Sequence, residues 1–509
     1  MTTLHVTNAR IWTGDPAHPF ASSMTIREGR IESIDSAHDG EPLLDCEGDF
    51  VTPGLIDAHM HLVLGGESLT QPDLSGADSR GAFEAMIARE HERLPEGQWL
   101  IANGWSEERL GAHPEQDWLA ACGERPAVCW RMDLHAAMVN DAVLQQLHLP
   151  DDVSIAESGG RIGRDSNGNP NGLLVEQAAW EYLIPAIPEP SIATRQSALL
   201  AAESYCLEHG LTTVRTMEYR SILEEVIVPM REQLRLRCAT VLLDRKLPID
   251  LQWISAFKED ERLQIVGCKS FIDGTIGSRT ARLHEPWADR PGDRGLLLEL
   301  ALEQRLHEWQ HHVHAAGLDT AVHAIGDEAV SIALDLEAAS TGSHRCIIEH
   351  AELIRDADAP RTAGTILSMQ PLHRAEDACG AEAALGSERT ETLCPFRRLH
   401  DAGAILAFGS DWPVVDCDPR LGLKAAITGL DSTGADYHSQ QRIDPDTALQ
   451  GWTSAAAMTC RRRDIGCIRP QACGDLVRWS QDLLHVDWTT ALPDVVSTVV
   501  GGEVVYDGS

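Results

Sequence analysis

The chain has 509 residues, with 42 basic against 78 acidic side chains and a formal charge of −36. This balance disfavours binding to nucleic acid or anionic membrane surfaces, and no apolar run reaches the ~20 residues that span a bilayer. The length exceeds one compact core and suggests two or three domains, while 13 cysteines without a regular framework and a start lacking a basic-then-apolar leader point to a reducing, cytoplasmic setting.

Residues 3–8 and 24–35 read as short strands, as do 475–480 and 495–506, the last with a Gly501-Gly502 hairpin turn. The two ends are expected to form one small β domain, a β-sandwich built from 1–52 and 456–509. Between them, apolar β-prone runs fall at Phe50 to His61, Leu211 to Tyr219, Leu236 to Leu243, Leu263 to Ile272, Leu318 to Ala324, Arg345 to His350, Thr365 to Gln370 and Ala404 to Phe408. Segments of helical spacing, such as Leu300 to Ala316 and Glu328 to Ala339, separate most of them. Strand and helix alternating in this way predict an α/β fold, a (β/α)8 TIM barrel over 53–455. Roughly 150 residues follow His61 before the second strand, far more than a barrel loop needs, so about 66–205 is read as an insertion on the catalytic face. It contains the strongest turn cluster, Asp165 to Gly172.

His59 and His61 end the first barrel strand, and imidazoles at i and i+2 project to one side, where they can chelate one divalent metal. Lys269, His323, His350 and Asp411 each end a later run, the position from which barrel enzymes present their catalytic groups. Asp57 is read as a partner of those ligands or as another inward residue. His307, His311 and His314 share a helix face outside the barrel and are expected to be solvated or to form an interface.

The run Pro53 to His61 with Lys269, His323, His350 and Gly409-Ser410-Asp411 resembles the metal-dependent amidohydrolase superfamily. Phe271 to Ala281, Asn171 to Leu174 and the closing Val500 to Gly508 are similar to its amidohydrolase family 3 branch, which includes N-substituted formamide deformylase. The resemblance covers nearly the whole chain. It implies one or two divalent ions, with zinc the first candidate. His59, His61 and Asp411 would hold one, and His323 and His350 a second.

An ammonium is a poor metal ligand, and the resemblance supplies a remedy for Lys269: N6-carboxylation to a carbamate that bridges two metals. A salt-bridged lysine is the alternative, and Glu176 in the insertion is a competing bridging carboxylate. Asp411 is the expected general acid/base, because a carboxylate beside a metal can also take a proton from the bound water.

The reading is therefore a metal-dependent hydrolase of non-peptide C–N bonds in amides, N-formyl compounds, carbamates or cyclic amides, acting through a metal-activated hydroxide. A metal-dependent isomerase or lyase and an inactive scaffold are the alternatives. Trp105, Asp133, His135, Arg279, Gln370, His373 and Trp412 are candidate contacts to a small-molecule substrate. Homo-oligomerisation is left open.

Overall fold

The computed structural model describes residues 3–36, 43–150 and 159–508. Eight parallel strands form its centre, in the order in which the chain makes them. They are β1 (Leu55–Met60), β2 (Leu211–Glu218), β3 (Arg237–Leu242), β4 (Leu263–Phe271), β5 (Asp319–Ala324), β6 (Cys346–His350), β7 (Ile366–Met369) and β8 (Ile405–Phe408). The barrel closes at its mouth, where Asp411 N donates to His59 O at 2.7 Å and His61 N to Trp412 O at 2.9 Å. Asp57 reinforces the seam by accepting from both the amide and the hydroxyl of Ser410.

Side-chain alternation sorts the strands into two layers. Ala239, Val241, Ala321, Ile347 and Ala407 pack together in one buried cluster, whereas Cys238, Cys268, Val322 and Ile348 join the larger cluster beneath the helices. Cys268 thus faces the helix layer and Lys269 the barrel interior. The alternation predicted between strands and helices is present, with one break. The run from Leu300 to Ala316 is two helices, Glu299–Leu302 and Leu306–Ala315, because Gln304 adopts a φ of 57° that no continuous helix contains.

The expected first strand, Phe50 to His61, is likewise two. Phe50–Pro53 pairs antiparallel with Leu476–Trp479 outside the barrel, and the chain then passes Gly54 into β1. A Cβ at Gly54 would lie 2.1 Å from Thr212 Oγ1, so the crossing depends on glycine. The six-stranded sheet that results combines strands from both ends of the chain and lies against a four-stranded sheet of N-terminal strands. Val6, Ile26 and Ile31 share one core with Val51, Leu476 and Val499, so the two sheets pack as a sandwich.

Arg237 joins this sandwich to β3. Its guanidinium grips Asp475 at 2.7 and 3.0 Å, and Asp475 also accepts from Gly501 N at the hairpin turn. Both side chains are buried, so removing one strands the other's charge. Asp475→Ala is expected to lower unfolding free energy by about 3–5 kcal/mol, measurable by denaturant titration. An unchanged midpoint would mean that the pair contributes nothing to the join.

Between β1 and β2 the chain builds a separate five-stranded sheet, ordered Gly160–Arg164, Pro170–Glu176, Ala136–Val139, Ala127–Arg131, Leu100–Trp105. Its core includes Phe83, Trp105 and Trp118. Glu176, at the end of one of these strands, hydrogen-bonds the residues after β4, which brings the sheet over the barrel mouth. No helix among the described residues is long and apolar enough to cross a membrane.

Candidate metal centre

His59, His61 and Asp411 converge where β1 meets β8, with one ligand atom from each lying within 4.8 Å of the others. Asp411 Oδ1 is 3.3 Å from His59 Nε2 and 3.4 Å from His61 Nε2. It is buried without a hydrogen-bond partner. A buried carboxylate oxygen aimed at two imidazole nitrogens fits a divalent cation held between them.

Hydrogen bonds fix the imidazole tautomers. His59 Nδ1 donates to Glu349 Oε2 at 2.6 Å, so its Nε2 presents a lone pair to the site. His350 Nδ1 donates to Gln370 Oε1 at 2.9 Å, leaving a buried, unpartnered Nε2. His323 Nε2 donates to Gly274 O at 3.1 Å, which frees Nδ1. Burial, then mutual repulsion, pushes both His323 and His350 well below the usual imidazole range; the neighbour is His135 for the first and His323 for the second. Neutral rings are the form that ligates metal.

Lys269 is buried inside the barrel with Nζ 2.9 Å from His59 Nε2. Burial pushes its ammonium down to about 8, against the opposing pull of Asp411 and Glu349. For Asp411, burial works to raise the carboxyl, but His59, His61 and His350 outweigh it and hold the group well below the usual carboxylate range.

Backbone strain aims several of these groups. His350 has a φ of 70° and Asp411 a φ of 60°. Alternation alone would send Glu349 and His350 to opposite faces of β6, yet both reach the barrel mouth because the strand turns left-handed at His350. Sequence reasoning did not single out Glu349 or its partner Arg215, which donates to it at 2.6 Å. The available signal was a charged residue inside a β-prone run, Glu349 within Cys346–His350 and Arg215 within Leu211–Glu218. The pair holds His59 from within the barrel.

The insertion contributes His135, whose Nδ1 is 2.8 Å from Glu176 Oε2 and whose ring lies 5.3 Å from that of His323. Thr280 donates to the other Glu176 oxygen, so both are occupied. Asp133 is likewise engaged, by Arg131, Thr275 and Ser278. His373 lines the inner cavity together with Asp133, His135, His323, His350 and Asp411. Trp412 instead lines an adjoining outer cleft of about 880 Å³ and stacks on Tyr205.

Three candidate contacts are spent elsewhere. Trp105 is fully buried in the insertion core, where its indole donates to Cys129 O at 2.7 Å. Arg279 is tied to Asp289 and to the carbonyls of Ile276 and Gly277. Gln370 holds His350 through its side-chain oxygen. His307 and His311 are exposed, and His314 stacks on His344, apart from the barrel mouth.

A parallel eight-stranded barrel with imidazoles and a carboxylate at its mouth defines the class of metal-dependent barrel hydrolases. The amidohydrolase family model matches residues 43–506, and the chain belongs to that family and is a hydrolase acting on carbon–nitrogen bonds. It is 32% identical over 541 positions to protein LONG AFTER FAR-RED 3 of Arabidopsis thaliana, covering 99% of this chain and 91% of that protein. It is 24% identical over 561 positions to N-substituted formamide deformylase of Arthrobacter pascens, covering 100% and 99%. The crystal structure of an uncharacterized metal-dependent hydrolase from Pyrococcus horikoshii superposes with a TM-score of 0.78 at 25% identity, over 96% of this chain and 99% of that one.

Proposed function

We propose that this enzyme hydrolyses a small N-formyl, N-acyl, carbamate or cyclic amide to an acid and an amine, with His59, His61 and Asp411 holding one divalent ion. The observation that carries this reading is the unpartnered Asp411 oxygen facing the two imidazoles. Nitrogen and oxygen donors in this number suit zinc. His323 and His350 offer free ring nitrogens for a second ion. When bound, the metal would polarise the scissile carbonyl and make water acidic enough to attack near neutral pH.

Asp411 takes the proton of the attacking water. As the carbonyl carbon bonds to the water oxygen and the C–N bond breaks, Asp411 returns that proton to the leaving nitrogen, which departs as an amine. His59 is held in register by Glu349 and Arg215 throughout. The test is to supply N-formyl and N-acyl amides to metal-loaded protein and measure both products, and to supply cyclic amides and measure the single ring-opened acid. Equal amounts of acid and amine support hydrolysis; a rearranged isomer with no amine would replace it with an isomerase.

Lys269 would help to hold the two ions as a carbamate, formed when its neutral amine adds to carbon dioxide and releases a proton. Its depressed basicity favours that amine, and Glu176 could bridge only by giving up His135 and Thr280. Lys269→Ala is expected to lose bound metal and turnover together, and to regain part of both in acetate or propionate. Full metal content in the variant would refute that role for Lys269.

A further inference from the structure

The inner cavity extends past Asp411 and His350 to a group of side chains that the proposed hydrolysis does not use. Glu352 follows β6 and is 2% exposed; its Oε1 meets only His373 Nδ1, at 3.4 Å, and its Oε2 has no partner. His373 Nε2 and His350 Nε2 are also buried without partners. Asp377 lies four residues beyond His373 on the helix Pro371–Leu385, hence on the same face, and lines the same cavity. It makes no hydrogen bond or ion pair among the described residues.

The other charges around the cavity cancel one another. Arg131 spends its guanidinium on Glu107, Glu108 and Asp133, and Glu376 is paired with Arg109. Two carboxylates therefore face the cavity with one imidazole beside them. Burial opposes protonation of that ring, but the hydrogen bond to Glu352 and the charges of Asp411, Glu352 and Asp377 lift it to about 8. The Arg131 guanidinium is already shared among three other carboxylates. Burying a carboxylate oxygen without a partner is costly, and a ligand that supplies a cationic donor would remove that cost.

We infer that the cavity binds a positively charged nitrogen of the substrate, an ammonium or guanidinium group, between Glu352 and Asp377 and beside the amide being cut. An alkylammonium group has three N–H donors, and Glu352 Oε2 and the Asp377 carboxylate are acceptors on the wall. The outer cleft shares Met132, Glu376, Val414 and Val415 with the inner cavity and gives such a substrate a way in. The acidic surface of the whole chain would favour its approach. This inference rests on the hydrolase reading for the amide, whereas the cation subsite can be tested apart from it.

Two measurements on the metal-loaded enzyme decide it. The first compares kcat/KM for N-formyl-1,4-diaminobutane with that for its neutral counterpart N-formylpentylamine, and repeats the comparison with the N-acetyl pair. The second titrates 1,4-diaminobutane and agmatine by calorimetry into wild type, Glu352→Gln and Asp377→Asn, each checked for fold by circular dichroism. The cationic substrate is expected to be preferred. Each variant is expected to lose about 30-fold or more of that preference and of diamine affinity, as when a buried charge loses its partner.

Equal use of neutral and cationic amides, or variants that bind the diamines as wild type does, would overturn the subsite while leaving the hydrolase reading in place. Diamine binding that depends on Glu352 and Asp377 in a protein that cleaves no amide would leave the subsite and remove that reading. His350, Glu352 and His373 also place ligand atoms within 4.8 Å of one another. Metal content that falls in Glu352→Gln but not in His59→Ala/His61→Ala would assign this trio to a metal ion and overturn the proposal.

Discussion

The double variant His59→Ala/His61→Ala is expected to bind no metal at the barrel mouth and to show no turnover above background. It removes two of the three converging groups, His59 and His61, and the remaining Asp411 carboxylate cannot hold the ion alone. The variant should still fold. The packed barrel layers are built from residues such as Ala239, Val241, Ala321 and Ile347, and neither histidine belongs to them. His59 is nevertheless fully buried and donates to Glu349, whose remaining partner would be Arg215. A stability loss of about 1–3 kcal/mol is expected from that broken bond. Elemental analysis reads the metal, amine release reads turnover, and denaturant titration reads stability. Wild-type activity in a fully chelated sample would overturn metal dependence.

The second large effect is expected from Asp411→Asn. Asparagine matches aspartate in shape and is among the few residues that readily adopt the left-handed backbone found here, with a φ of 60°. The exchange therefore removes charge and proton-accepting capacity with little strain. Turnover should fall about 100-fold or more, with kcat and kcat/KM reduced together, because the proton is transferred only on the way through the transition state. Near-normal turnover would move the base to another residue. His135 and His373, both on the inner cavity, would be the next to test.

Much of this arrangement is legible in the amino-acid order. The barrel strands stand out because each is a short apolar run bounded by turn residues, and the ligand types occur where such runs end. What periodicity does not reveal is where the backbone departs from it. Phe50 to His61 reads as one strand, yet Gly54 divides it, because the close approach to Thr212 is a tertiary contact that no local pattern records. Glu349 and His350 cannot both point inward in a regular strand, and the positive φ at His350 that allows it is visible only in three dimensions.

Burial and pairing were equally hidden. Trp105 reads as an aromatic contact in the insertion, but its side chain fills that segment's own core. Arg279 has the chemistry to bind a carboxylate and finds Asp289 instead. Glu352 and Asp377 look like ordinary acids on a loop and a helix. Only the folded chain shows that both face the cavity beside Asp411.

An anomalous-scattering map from crystals of the metal-loaded protein tests the central claim most directly. A peak bounded by His59 Nε2, His61 Nε2 and Asp411 Oδ1 is expected, and where a second ion is present the ordinary electron density from the same crystals should extend beyond Lys269 Nζ. An empty position between those three ligand atoms, or a peak found only between His350, Glu352 and His373, would contradict the claim.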